Sequence, residues 1–238
     1  MPYRSLDPAK ILATATSLEA RVAARFPGAG LHKVATEIVS LTRDTTRAAK
    51  ALEAPLYWLR LLIAAVILGG GLTFLYIGTF LSFGSLSHEA TGSVQGFEAA
   101  INTTVLAALG LTALIRLEAR IKRQRVNGQL RSLRAVIHVI DMHQLTKDPA
   151  ALHASYRKTD ASPHRPLTAA ELARYLDYCS ELIAITGKLA ALYAQSVNDE
   201  GVAQAAHDIE NLGSNLSRKV WQKIMLIDAQ TAAKAKSR

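Results

Sequence analysis

The densest group of chemistry-bearing side chains is His138-Val-Ile-Asp141-Met-His143, followed by Lys147, Asp148 and His153. Residues three apart on a helix share a face, so His138 and Asp141 are spaced to meet one metal ion. His143 lies five positions beyond His138 and points elsewhere unless the helix ends there. A metal centre would need a further ligand, such as Asp148 or His153. The competing reading is a helix end whose His and Asp side chains face water or cap the next turn, and it is the favoured one.

Other catalytic patterns are missing. The chain has no Walker A sequence, HExxH, CxxC or GxSxG. Gly69-Gly70-Gly71 is not a phosphate loop, since no Lys follows it and it lies within an apolar run. His32, His88, His164 and His207 are scattered without a spacing signal. Neither a catalytic residue nor a cofactor is expected. The single cysteine, Cys179, excludes a disulfide scaffold and reads as a small buried hydrophobe.

The elements that carry these residues follow from composition. Of 238 residues, 50% are hydrophobic and 6% aromatic, with a mean hydropathy of +0.13. That is too apolar for a disordered chain. It points to a membrane protein with a soluble part. Leu61 to Phe83 is a run of 23 residues without a charge, about 34 Å as a helix and long enough to cross a bilayer. Tyr57 and Trp58 precede it, where interfacial aromatics sit, and Pro55 marks a break before them. A second uncharged run, Ala99 to Ile115, has 17 residues, at the short end for a span.

Charge sets the expected orientation. Nine Lys and Arg residues lie up to Arg60, none between Leu61 and Ile115, and 19 from Arg116 onward. The connecting loop, 84–98, carries only Glu89 and Glu98 as charges. The positive-inside rule then places both termini in the cytoplasm and the loop outside, in a multi-pass protein of the cell (inner) membrane.

The net charge of +9 is concentrated beside the apolar runs. Arg116 to Arg134 holds seven basic residues against one acidic residue, Glu118. No aromatic residues interleave with them, so a nucleic-acid partner is not expected. Arg116, Arg120, Lys122, Arg123 and Arg125 are candidates for anionic lipid headgroups, although a basic flank is what topology alone demands.

Small residues suggest close helix approach. Ala100, Thr104, Ala108 and Thr112 recur every four residues in the second run, and Gly69, Gly70 and Gly71 interrupt the first. A pore lined by Asn102, Thr103 and Thr104 is the alternative. It is disfavoured because no charge lies within the runs.

Outside the spans the pattern is helical. Asp7-Pro8 reads as an N-cap and first helical position, ahead of Ile11, Ala15, Leu18, Val22 and Phe26. Pro27 to Gly30 ends that helix, and a second carries Leu31, Val34, Ile38 and Leu41. Asn127-Gly128 is a potential break before the stripe Leu130, Leu133, Ile137 and Ile140. Asp148-Pro149 can open a short helix. Thr168 and Glu171 form a capping box before a wide apolar face from Leu172 to Tyr193. Asn198 to Gly201 is a turn, and the last helix carries Val202, Ile209, Leu212, Leu216, Val220, Ile224 and Ile227. The tail after Ala229 is expected to fray.

The expectation is therefore an all-α integral membrane protein: a two-helix transmembrane hairpin with a cytoplasmic helical bundle built from both chain ends, four long helices in all. Its parts are an N-terminal cytoplasmic hairpin (1–56), the transmembrane hairpin (57–117), a basic juxtamembrane helix (118–145), a connector (146–167) and a C-terminal cytoplasmic hairpin (168–238). The leading function is a non-enzymatic scaffold, assembly or regulatory protein whose bundle binds a protein partner or itself. A homo-oligomeric channel or transporter accessory subunit comes second. A metal-dependent enzyme at His138, Asp141 and His143 comes third.

Overall fold

A computed structural model describes residues 5–80, 90–153, 156, 157, 159, 160, 162 and 167–236, without the side chains of 53, 73–80, 90–100 and 236. Every regular element among them is helical: α1 Pro8–Arg25, α2 Gly30–Glu53, α3 Tyr57–Phe80, α4 Ala90–Leu145, a 3-10 turn Pro149–Leu152, α5 Ala169–Ser196 and α6 Glu200–Lys236. Residues 84–89 of the expected loop 84–98 and the prolines 163 and 166 lie outside the described residues, whereas 90–98 of that loop are helical and open α4. The chain divides into two compact units, one made of residues 1–53 with 123–238 and the other of 54–122.

In the larger unit, local sequence sets each helix end. The Asp7 carboxylate accepts the backbone N–H of Ala9 at 2.9 Å and that of Lys10 at 3.4 Å, and Pro8 occupies the first turn. α1 stops at Phe26. Gly28 then takes φ +72°, a left-handed conformation that glycine adopts without a Cβ penalty, and the chain turns back into α2. Thr168 and Glu171 close the capping box: Thr168 N–H donates to Glu171 Oε2 at 2.8 Å and Glu171 N–H to Thr168 Oγ1 at 3.3 Å. Asp199 accepts the Val202 N–H at 3.1 Å and so opens α6.

The apolar stripes meet in one core. Leu18, Val22, Leu31, Ile38, Leu182, Ile183, Leu189 and Ile209 are all buried in it. α5 is central, lying against α1, α2 and α6, which accounts for its wide apolar face. A smaller cluster of Leu172, Leu176, Val220 and Ile227 closes the end where α5 starts.

Three features differ from the sequence expectation. α4 does not break at Asn127-Gly128 but runs unbroken to Leu145. Val126 and Leu130 flank Gly128 and are both buried, so tertiary burial holds the helix through a weak former. The bundle consequently has a fifth member, since Val126, Leu130, Leu133, Ile137 and Ile140 of α4 all enter the core formed by the other four helices. Finally, α6 continues past Ala229 to Lys236 instead of fraying. Buried Ile227 anchors it and accepts a hydrogen bond from Thr231 Oγ1 at 2.8 Å.

The smaller unit holds α3 and the first part of α4. Length and composition mark one helical stretch among the described residues, Gly30–Leu72, as able to cross a membrane; 12% of its most apolar window is buried. The apolar part is α3, where Leu61, Leu62, Val66, Ile67, Leu68 and Leu72 are all exposed. Ile101, Val105, Leu106, Leu109 and Ile115 on α4 are exposed as well.

Candidate functional site

The His138–His143 segment is the last two turns of α4, and its polar groups diverge. His138 is exposed. Asp141 turns toward its own helix end, where its Oδ1 accepts the Gln144 side-chain N–H at 2.5 Å. His143 faces α2: its ring lies where a side chain on Gly30 would project. Among the described residues, no three His, Cys, Asp or Glu side chains are grouped to hold a metal ion.

What assembles instead is a joint around Gln144, a buried residue that spacing rules did not single out. Lys223 of α6 donates from Nζ to the Gln144 carbonyl oxygen at 2.9 Å and to its Oε1 at 2.7 Å. A cation on the final carbonyls of α4 meets the negative end of the helix dipole and satisfies an acceptor the helix leaves open. The sequence offers little signal for this pair, because its members are separated by 79 positions. Burial, with a smaller contribution from Lys147, holds the His143 imidazolium pKa below its ordinary value.

Beside the joint, Phe26 meets Tyr175 edge-on at 5.4 Å and Tyr178 at 6.2 Å, and the Lys147 ammonium stands 5.1 Å from the Tyr175 ring centre. Cys179 is buried, and burial pushes its thiol up to about 12 despite Lys223 and Lys147. It is a packing residue, held in its protonated and unreactive form.

The lipid-headgroup candidates separate into two sets. Lys122 pairs with Glu118 at 3.1 Å, and Arg123 with Asp199 at 3.6 Å. Arg116, Arg120 and Arg125 are exposed and have no carboxylate partner among the described residues. Glu118, the lone acid of the basic segment, also meets Arg60 of α3 at 3.6 Å and accepts the Leu56 backbone N–H at 3.3 Å. Burial raises its pKa, while Lys122, Leu56 and Arg60 lower it by more, so the carboxylate titrates below its ordinary range.

For the small-residue stripe, no described atom beyond the neighbouring backbone of α3 comes within 4 Å of a Cβ built at Gly69, Gly70 or Gly71. Ala108 and Thr112 are exposed, and Thr112 Oγ1 donates to the Ala108 carbonyl at 2.7 Å within its own helix. Thr104 is exposed too, and the Ala100 side chain lies outside the described residues.

A groove of about 680 Å³ runs between α4 and α6, lined by Gln124, Asn127, Leu130, Arg131, Arg134, Gly201, Ala205 and Ile209. The sequence stripe pointed to Leu130 and Ile209, which are buried beneath it, but not to the groove. Compared with known proteins, the chain matches no family model, no curated protein and no solved structure.

Proposed function

We propose that the protein is a membrane-anchored, non-enzymatic scaffold, assembly or regulatory protein. Its helical bundle presents a cytoplasmic surface to a protein partner or to a second copy. The observation that carries this reading is the uncovered apolar surface of α3, in contrast to the bundle unit, whose apolar stripes are buried. A patch of that size is costly in water and favourable in lipid. In this reading α3 and the 99–115 part of α4 form a two-helix hairpin in the cell (inner) membrane. The Lys and Arg distribution keeps both termini in the cytoplasm.

Support for a non-enzymatic role comes from the divergence of His138, Asp141 and His143 and from the protonated Cys179. Arg116, Arg120 and Arg125 are left to face headgroup phosphates. Alkaline carbonate extraction of membranes from cells expressing the full chain tests the anchor. The protein is expected to stay with the membrane pellet. Release into the supernatant would sink the proposal.

A further inference from the structure

α6 carries a second face that the core does not use. Val220 and Ile227 are buried with Leu172 and Leu176 of α5, whereas Arg218, Trp221, Met225, Asp228 and Ala232 are all exposed. Trp221 is 62% exposed and Met225 61%, although both are side chains that gain much from leaving water. The five positions follow at alternating intervals of three and four, the spacing of one coiled-coil seam. The charges on this seam have no ionic partner among the described residues. Arg218 donates to Oδ1 of Asn215 in its own helix at 2.6 Å, and Asp228 meets no cation.

The order along the seam, Arg218, Trp221, Met225, Asp228, is self-complementary under one operation. A two-fold axis midway between Trp221 and Met225 lays Arg218 of one copy against Asp228 of the other, and Trp221 against Met225. Each contact then occurs twice, as in an isologous interface. Both contacts are favourable: opposite charges toward the ends and a thioether against an indole at the centre. The parallel arrangement fails on charge, because it opposes Arg218 to Arg218 and Asp228 to Asp228. A lipid surface fits less well, since it would press Asp228 against anionic headgroups. We propose that this face of α6 pairs antiparallel with the same face of a second copy. The proposal rests on the scaffold reading above, in its self-binding form, and specifies the surface and the direction.

The test uses the full chain in mild detergent, where each anchor sits in its own micelle and leaves its bundle free to turn. A dimer is expected by sedimentation in density-matched detergent. Trp221→Ala should weaken it about tenfold or more, as loss of a central aromatic does. Arg218→Asp should weaken it about fivefold or more, because the change acts twice across the axis. Exchanging the charges, Arg218→Asp with Asp228→Arg, should return the affinity to within about twofold of the original. Lys219→Asp is the control, exposed beside the seam but off it, and should change little. An unchanged thermal melt shows that each variant is folded, and Arg218→Ala stands in if the charge reversal unfolds. Direction is read from disulfides: Ser214→Cys in one tagged copy and Ala232→Cys in another should join on oxidation, and Ser214→Cys alone should not.

A monomer would overturn the proposal. So would a dimer indifferent to Trp221→Ala, a charge exchange that fails to restore pairing, or a disulfide between two Ser214→Cys copies. A monomeric chain that stays with carbonate-extracted membranes overturns this pairing and leaves a scaffold for other proteins. A seam-dependent dimer of a chain that carbonate releases overturns the anchor and leaves the pairing.

Discussion

At the residue scale, the most specific contact is Gly30 beneath His143. Their coupling gives a sign that can be measured. Alanine is a better helix former than glycine by about 1 kcal/mol, so an unobstructed Gly→Ala change in a helix stabilises. Gly128, with nothing within 4 Å of a Cβ there, is such a site, and Gly128→Ala is expected to raise stability. Gly30→Ala, at the first residue of α2, should instead destabilise by driving a Cβ into the His143 ring, and a His143→Ala background should relieve that loss. A double-mutant cycle by chemical denaturation should give a coupling above about 0.5 kcal/mol. His143 also sets a pH dependence. Its folded pKa is depressed, so its neutral form stabilises the fold fully above the ordinary histidine value. That contribution falls away as the pH drops below about 6.5 toward the depressed folded value. His143→Gln should flatten this part of a pH-stability curve measured from pH 8 to 5, and an unchanged slope would count against the assigned environment. The residues of the candidate site were legible as types but not as a group. Spacing placed His138 beside Asp141, whereas the hydrogen bond that orients Asp141 comes from Gln144, which Lys223 fixes from a distant part of the chain.

At the element scale, most helices announced themselves because their start signals are local. The Asp7 cap, the Thr168–Glu171 box and the stripes of α1, α5 and α6 all appear where period and capping chemistry place them. The reading went wrong where a local signal competed with burial. Asn127-Gly128 is a good turn pair in isolation, yet the buried Val126, Leu130 and Leu133 on either side gain more from staying on one helix face than a turn there would return. The lysines and alanines of the α6 tail are strong helix formers that an anchored helix extends into. Leu133, 1% exposed, measures what α4 contributes to the core: Leu133→Ala should cost about 2–5 kcal/mol in a denaturation experiment. A loss below about 0.5 kcal/mol would mean that α4 is not a fifth member of the bundle. Thr168→Ala removes only a cap and should cost about 1 kcal/mol.

At the scale of the whole molecule, two kinds of apolar surface distinguish the parts. In the bundle unit the stripes are buried against one another, whereas the apolar residues of α3 are exposed along the helix. Hydropathy made this contrast legible before any coordinates, because a charge-free run of bilayer length needs no partner to be recognised. Whether the bundle binds a partner was not legible, since a helical stripe carries no record of what faces it. In the proposed anchor, Glu118 would keep the two runs in register at the membrane face. It holds Arg60, Lys122 and the Leu56 amide together, and Glu118→Gln should loosen the start of α3, read as faster amide exchange there. The central claim is a hairpin anchor with both chain ends on the same side. Single cysteines introduced at Ser5, Ser85 and Ser214, in a chain whose native Cys179 is buried, test it directly by labelling with a membrane-impermeant maleimide in intact cells. The account predicts that Ser85→Cys labels at once, while Ser5→Cys and Ser214→Cys label only after the cells are opened. Labelling of either terminal position in intact cells, or none at position 85, would contradict it.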